Sequence, residues 1–236
     1  MRIAFIADRV PAPYRAGQLR QVSKLLREWA VEVTIAPAEL GVEALGPHNL
    51  HVVASERDAA FAVAGDLDAR GAVLMNAYPS LAALRNPGLL ARRLTAANVP
   101  NALASPPRDA AGVPLAASGP QITLDGFGGQ VFGVVRGGPG QRDQPFTIGP
   151  ELHRVALRCA RALELELFAI DLATFDGEPL VVGVRPFPAL RGVPDAALRV
   201  ADFVYAAAER AAEAPRPAVE ATPKPELRLL QPVLAR

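Results

Sequence analysis

Apolar runs alternate with one amphipathic segment in residues 1–35, and this pattern limits the fold of the chain more than any other feature. Residues 2–8 form a short apolar run typical of a buried strand, and residues 31–35 have the same character. Between them, apolar side chains recur at helical spacing over residues 17–29, which predicts a helix. Strand, helix and strand in this order predict a βαβ unit with two parallel strands and a right-handed crossover.

Residues 1–100 continue this pattern, and we expect them to form a small open α/β domain with a parallel sheet. Short strands are predicted at 51–53 and 72–75, and a helix is predicted at 89–97. Residues 101–120 are rich in alanine, proline and glycine and show no apolar period, so we predict a linker there.

Residues 121–212 show a different order of elements, which predicts a second domain of the α+β class. Its strands are expected to form two hairpins that turn at Asp125-Gly126 and at Asp176-Gly177, because Asp-Gly pairs favour hairpin turns. The elements predicted in this part are strands 121–124, 130–135, 165–172 and 179–184 and helices 150–163 and 195–212.

Two segments rich in glycine or proline are predicted to lack helix and strand. Residues 137–140 read Gly-Gly-Pro-Gly and are expected to form a turn rather than a phosphate-binding loop, because no helix opens directly after them. Residues 213–236 are rich in proline, glutamate and alanine and predict a flexible tail. Within residues 227–234, the apolar residues Leu229, Leu230, Val233 and Leu234 make the end of this tail a candidate docking peptide.

Composition excludes several classes of protein. The chain has 25 lysines and arginines against 24 aspartates and glutamates, a net charge of +1, so we expect no nucleic-acid partner. No apolar run approaches the roughly 18 residues of a membrane-spanning helix, so we expect no membrane partner. The start lacks the features of a secretory signal, and we therefore expect a cytoplasmic protein.

Isolated cysteine and histidine residues offer little catalytic chemistry. The single cysteine, Cys159, falls on the apolar face of a predicted helix and is expected to be a core residue. His48 and His51 lie near a proline and are too few for a metal site, so a surface loop is the favoured interpretation.

Residues 169–192 carry the most specific pattern of the chain. They contain Ala-Ile-Asp at 169–171, the Asp-Gly turn, and the run Leu-Val-Val-Gly-Val-Arg-Pro-Phe-Pro-Ala-Leu-Arg-Gly at 180–192, followed by a predicted helix. This arrangement resembles the C-terminal end of the ATP-grasp ligases, in particular the branch of glutathione synthetase and the ribosomal-protein glutamate ligases. The βαβ unit and the run Val-Leu-Met-Asn at 73–76 resemble the leading part of the same family. The resemblance implies an ATP-grasp fold and, in active members, ligation of a carboxylate to an amine with ATP and Mg²⁺.

The chain departs from the family pattern at the metal ligands. Asp171 matches the first ligand, whereas Gly183 and Arg185 stand where the resemblance places a glutamate and an asparagine. Gly183 and Arg185 face the same side of their strand, and the hairpin is expected to bring Asp171 opposite them. A guanidinium offers five donors and no acceptor, so it adds positive charge without replacing a ligand.

These departures leave two interpretations of the remaining polar residues. Asp171 is the only remaining candidate metal ligand, and a salt bridge with Arg185 is the favoured alternative because a lone carboxylate makes a poor Mg²⁺ site. Arg185 and Arg136, with Asp171, are alternatively a candidate anion-binding set in the cleft.

A second departure concerns the lid that covers the nucleotide in the family. Residues 102–120 are too few for a lid of several strands and a helix, and they contain no lysine to contact phosphates. The two lysines of the chain, Lys24 and Lys224, fall in the first helix and in the tail, outside any phosphate-binding position.

The sequence therefore predicts a degenerate, lidless ATP-grasp-like protein that acts as a binding, structural or regulatory module. We expect it to have no cofactor. Its expected partner is a second copy of the chain or an active ATP-grasp ligase. The alternative is a divergent carboxylate-amine ligase that uses ATP and Mg²⁺, with missing parts supplied by another chain. A transferase built from two small α/β domains is a third possibility.

Overall fold

A computed structural model describes residues 1–105, 107–108, 116–137, 142–189 and 191–213, and this part of the chain forms two sheets and six α-helices. The strands are β1 (Arg2–Ala7), β2 (Glu32–Pro37), β3 (Leu50–Val53), β4 (Leu74–Met75), β5 (Ser118–Phe127), β6 (Gln130–Val135), β7 (Gln144–Phe146), β8 (Leu167–Phe175) and β9 (Glu178–Arg185). The helices are α1 (Pro13–Glu28), α2 (Asp58–Ala69), α3 (Tyr78–Leu84), α4 (Pro87–Ala96), α5 (Pro150–Leu163) and α6 (Ala196–Glu213). The α/β class expected from the sequence is confirmed.

The N-terminal sheet is parallel, with strand order β2-β1-β3-β4. The predicted βαβ unit is confirmed, since β1 and β2 pair in parallel on either side of α1 in the chain. Ile3 and Phe5 pack with α1 and α6, whereas Ala4 and Ile6 pack with α2. Because successive side chains of a strand point to opposite faces, β1 is buried on both sides and its sequence is an unbroken apolar run.

The C-terminal sheet is antiparallel, with strand order β7-β6-β5-β8-β9. The apolar residues of α4 and α5 pack against one face of this sheet. Near the β5-β6 end, Phe127, Val134 and Leu167 belong to the same core as α6 and the N-terminal sheet. Helix α6 therefore lies between the two sheets and joins their cores.

The two predicted hairpin turns have different outcomes. The turn at Asp176-Gly177 is confirmed, since both residues have positive φ, 49° and 83°. The turn predicted at Asp125-Gly126 is wrong, because both residues lie inside β5 and the chain turns at Gly128-Gly129. Glycine is required at position 126 for a different reason. A side chain there would overlap the Phe168 ring of β8. Asp125, the other residue of the wrongly predicted turn, is buried within β5.

Three elements were not predicted from the sequence. Helix α2 has a weak amphipathic pattern because alanines occupy much of it, although its buried residues lie on one face. Helix α3 is a short helix with a proline in its first turn, and β7 is an edge strand of three residues. The predicted turn at 137–140 lies largely outside the described residues. The tail predicted at 213–236 lies outside them except for Glu213, which ends α6, and the candidate docking peptide at 227–234 lies outside them entirely.

Asn76 connects the end of β4 to the C-terminal sheet. It is buried and has a left-handed backbone conformation, with φ of 63°. Its Nδ2 donates to the carbonyl oxygens of Leu167 (2.7 Å) and Pro186 (3.1 Å). Its Oδ1 accepts from the amides of Glu166 (2.8 Å) and Leu167 (3.1 Å). One side chain thereby fixes the start of β8 and the residue after β9 against the N-terminal sheet.

The chain enters the C-terminal sheet at its β9 edge. Asn101 forms a parallel bridge with Val181, and the Val181 amide donates to the Pro100 carbonyl at 3.0 Å. Residues 103–117 then connect this edge to β5. None of the helices in the described part of the chain is long and apolar enough to cross a membrane.

Candidate functional site

Asp171 lies in β8 directly opposite Gly183 of β9. The register places Arg185 opposite Ala169, two residues from Asp171 along the strand. On the other side of Asp171 the ladder shifts, because Leu172 pairs with Val181, and Val182 is left over as an extra residue that is 38% exposed. The predicted approach of Asp171 to Gly183 and Arg185 is therefore present.

A single oxygen of Asp171 accepts three hydrogen bonds. Oδ1 receives the hydroxyl of Thr123 (2.8 Å), Nη2 of Arg136 (3.0 Å) and Nη2 of Arg185 (2.8 Å). Nε of Arg136 also donates to the Thr123 hydroxyl oxygen at 3.0 Å. The structure thus brings together the three residues singled out in the sequence, and the favoured salt bridge between Asp171 and Arg185 is confirmed. Thr123 was missed, although a lone polar residue at an inward position of a strand was a signal for it.

Arg185 is held as a buried cation. Its side chain is 10% exposed, and burial by itself lowers its pKa. The carboxylate of Asp171 acts in the opposite direction, with smaller contributions from Glu56 and Asp125, and the net pKa lies above the ordinary value for arginine. Its Nε is buried and has no hydrogen-bond partner. The guanidinium therefore stays charged and retains one unused donor.

A small cavity of about 20 Å³ lies beside this cluster, and Arg185 and Arg136 form part of its wall. Asp143 lies across the cavity, where its carboxylate accepts from Nη1 of Arg191 at 2.9 Å and from the Gly137 amide at 3.1 Å. A cavity of this size holds about one water molecule. Its full lining consists of Thr123, Asp125, Val134, Arg136, Asp143, Arg185, Ala189 and Arg191.

The residues around Asp171 do not fit a Mg²⁺ site. Mg²⁺ requires octahedral oxygen coordination and is usually held by one or two carboxylates together with substrate phosphates. Oδ1 of Asp171 already accepts from two guanidiniums and a hydroxyl, and Gly183 and Arg185 supply no acceptor side chain. Among the described residues, no group of three histidine, cysteine or acidic side chains is arranged to hold a metal ion.

Position 183, where the family resemblance places a glutamate, has space for a Cβ atom. A Cβ built on Gly183 would lie 3.4 Å from Oδ2 of Asp171, which is an ordinary van der Waals contact. Glycine is therefore not required at position 183 to make room for a Cβ atom.

The face of the C-terminal sheet beside Asp171 has no further sheet above it within the described part of the chain. Ala173 and Phe175 are nevertheless buried, and Val182 is the only large apolar residue of this sheet that is exposed there. Lys24 lies on α1 in an ion pair with Glu28, with an Nζ to Oε1 distance of 3.8 Å.

The remaining candidates have structural roles. Burial raises the pKa of the Cys159 thiol to about 12, consistent with the predicted core position. The surface-loop interpretation of His51 is wrong, because β3 buries it and its Nδ1 lies 3.3 Å from the Val73 carbonyl oxygen. Its neighbour His48 lies in the preceding loop, with Nε2 at 3.0 Å from the Thr34 hydroxyl.

Comparison with known proteins identifies the fold. No protein-family profile and no curated protein sequence matches the chain. The D-alanine–D-alanine ligase of Bacillus anthracis complexed with ATP superposes with a TM-score of 0.68 at 14% identity, covering 89% of this chain and 98% of the ligase. The D-cycloserine synthetase DcsG gives 0.67 at 17% identity, covering 89% of this chain and 100% of the synthetase. A RimK domain ATP-grasp protein from Sphaerobacter thermophilus gives 0.63 at 16% identity, covering 87% and 100%. The chain therefore has the ATP-grasp fold, as the resemblance of residues 169–192 implied.

Proposed function

We propose that this protein uses the ATP-grasp fold as a binding, structural or regulatory module and does not catalyse ligation of a carboxylate to an amine. The observation that carries the proposal is the state of Asp171, whose Oδ1 is saturated by Thr123, Arg136 and Arg185. A metal at this position would have to displace two cationic groups, one of them nearly buried. Gly183 supplies no second carboxylate to compensate for that displacement.

The chemistry of ligation explains why these residues matter. Phosphoryl transfer is catalysed largely by positioning and by electrostatic stabilisation, in which metal ions bridge phosphate oxygens and neutralise the developing charge. A guanidinium can donate hydrogen bonds to phosphate but cannot share oxygen ligands between protein and nucleotide as a metal does. Arg185 therefore supplies positive charge without the coordination on which the reaction depends.

The absence of a covering sheet from the described residues supports the same proposal. Residues 103–117 join the β9 edge to β5, and this length leaves no room for a lid. A nucleotide on the open face would lack the second layer that holds its base, and Lys24 is paired with Glu28 on α1.

The alternative is a divergent carboxylate-amine ligase completed by another chain. It is favoured by one observation: the chain superposes on the D-alanine–D-alanine ligase over 89% of its length, and that structure contains ATP. Under this alternative the second chain would have to supply both the cover and the metal ligands.

The test is a thermal-shift titration with ATP, ADP and AMP-PNP, each with and without Mg²⁺. A ligand at one hundred times its dissociation constant stabilises the native state by about 2.7 kcal/mol, so modest affinity is measurable. Relative to Mg²⁺ alone, we expect Mg²⁺ not to increase the shift that a nucleotide causes in the wild-type protein or in the Gly183→Glu/Arg185→Asn variant, because both lack the lid. A Mg²⁺-dependent shift of the wild-type protein would contradict the proposal and favour the divergent ligase. An active ATP-grasp ligase run in parallel is the positive control.

We also propose that the protein acts in the cytoplasm with a second copy of itself or with an active ATP-grasp ligase. The open face beside Asp171 supports a partner, although its exposed apolar area is small. Light scattering after size exclusion tests the first partner, since a homodimer has twice the 24.9 kDa mass of the chain. A monomer that also fails to co-elute with such a ligase would contradict both partners.

A further inference from the structure

The charged groups around the small cavity are arranged by depth. The two guanidiniums at its mouth are well exposed, with 41% of the Arg136 side chain and 43% of the Arg191 side chain accessible. The carboxylates they contact lie deeper, since the side chains of Asp171 and Asp143 are 26% and 12% exposed. Asp125 is buried further in. A ligand arriving from solvent therefore meets positive charge first.

The buried carboxylates orient the arginines, and Arg136 keeps one nitrogen at the mouth for a ligand. Arg136 uses Nε and Nη2 to contact Thr123 and Asp171, while its Nη1 makes no hydrogen bond with the described part of the chain. Below it, Nε of Arg185 is a buried donor without a partner. An oxyanion is the chemical group that several convergent guanidinium donors recognise.

A second, larger cavity opens from the same wall. It has a volume of about 680 Å³, and Ala189 and Arg191 line both cavities. Helix α1 contributes Gln18 and Lys24 to this larger cavity, and the amide of Gln18 is buried without a hydrogen-bond partner. Cavities of about 300 to 1,000 Å³ accommodate small organic molecules.

We propose that the mouth formed by Arg136 and Arg191 binds the phosphate or carboxylate of a small organic molecule without a metal ion. The small cavity holds only about one water, so the anion sits at the mouth, and the rest of the molecule lies in the larger cavity beside α1. This inference rests on the proposed function, because Arg136 and Arg185 take the place in which a ligase needs Mg²⁺. Metal independence distinguishes the site from the nucleotide site of a ligase.

The experiment is calorimetric titration of the full chain with inorganic phosphate, pyrophosphate and succinate, each in EDTA and again with Mg²⁺. We expect at least one of the three anions to bind in EDTA, with no gain from Mg²⁺. Stronger binding of the phosphates would assign the ligand group as phosphate, and stronger binding of succinate would assign it as carboxylate.

Two variants locate the binding. Arg136→Gln and Arg191→Gln remove exposed guanidiniums and are each expected to weaken binding about tenfold, the loss of one or two charge-assisted hydrogen bonds. Arg191→Lys keeps the charge but loses the planar fork, and is expected to fall between wild type and Arg191→Gln. The control is Arg70→Gln, which removes an equally charged surface arginine paired with Glu43 and is expected to bind as wild type.

Each result bears on the inference. Absence of binding for all three anions would overturn it, as would equal weakening by Arg70→Gln, which would indicate a general charge effect. Anion binding that appears only with Mg²⁺, together with a Mg²⁺-dependent nucleotide shift, would overturn the proposed function as well. If neither the anions nor the nucleotides bind, this inference is overturned and the proposed function is not.

Discussion

The side chains of Asn76 and Asp171 each form several hydrogen bonds, and they differ in the kind of group that they contact. Asn76 at the junction of the two sheets contacts only backbone groups. Asp171 in the cleft contacts only side chains, those of Thr123, Arg136 and Arg185. Backbone partners are present whatever the sequence, so the junction preserves the fold. Side-chain partners change with every substitution, so the cleft can change its chemistry while the fold remains.

The largest expected effect is at the junction. Asn76→Ala removes the partner of four backbone groups, of which only the Glu166 amide is partly exposed, and we expect a loss of about 3 kcal/mol in the free energy of unfolding. The matched control is Asn98→Ala, because Asn98 has a similar φ of 53° but lies at an exposed position. This control is expected to lose about 1 kcal/mol from backbone strain alone. Chemical denaturation measures both values, and equal losses would contradict the role given to the Asn76 side chain.

The next effect is in the cleft. Asp171→Ala leaves the nearly buried Arg185 without its counter-charge beside the like charge of Arg136. We expect a loss of about 2 to 3 kcal/mol, below the cost of breaking a fully buried pair because Asp171 is partly exposed. Glu43→Ala is the control, since it breaks an exposed pair with Arg70 and should leave stability close to unchanged. A wild-type midpoint for Asp171→Ala in urea would mean that the cluster is not held by this carboxylate.

Two glycines of the C-terminal sheet separate packing from chemistry. Gly126→Ala places a methyl group into the Phe168 ring, and we expect a loss of about 2 kcal/mol from overpacking. Gly183→Ala places its methyl group at ordinary contact distance from Asp171, and stability should change by no more than about 0.5 kcal/mol. Thermal unfolding of the pair tests whether position 183 has room for a side chain. A large loss for Gly183→Ala would show that glycine is needed there for space.

The smallest effect is a pH dependence from the N-terminal sheet. Burial is the main cause that lowers the pKa of His51 below its ordinary value of 6.5, and His48 lowers it further against the opposing effect of the Val73 carbonyl. The unfolded chain therefore binds a proton more readily than the folded chain, and stability should fall as the pH drops below 6.5. His51→Leu should flatten this part of the stability profile, whereas His153→Gln on α5 should not. Identical profiles for all three proteins would contradict a buried, neutral His51.

The sequence predicted the parts of the molecule that depend on local pattern. The βαβ unit follows from the apolar run of β1 and the helical spacing of α1, and both are present. The approach of Asp171 to Arg185 follows from strand alternation and a tight Asp-Gly turn, and it is also present.

The features that were missed depend on contacts distant in the chain. The turn was misplaced at Asp125-Gly126 because Gly128-Gly129 is a competing turn signal nearby, and the sequence does not show that Gly126 is needed for the close approach of the Phe168 ring. Asn76 acquires its role from Leu167 and Pro186, far away in the sequence. His51 is buried by the packing of β3 within its sheet, which its local sequence does not encode.

The guanidiniums of Arg136 and Arg185 contact Asp171 at the position where the family resemblance places a metal ion. Electron paramagnetic resonance of Mn²⁺, a stand-in for Mg²⁺, tests this arrangement by measuring the free ion during titration with wild-type, Asp171→Ala and Gly183→Glu/Arg185→Asn proteins. We expect the wild-type and Asp171→Ala proteins to leave the free-ion signal unchanged at millimolar Mn²⁺. The double variant, with a second carboxylate beside Asp171 and no guanidinium at 185, should reduce the signal. Binding of one Mn²⁺ by the wild-type protein that is lost in Asp171→Ala would contradict the account.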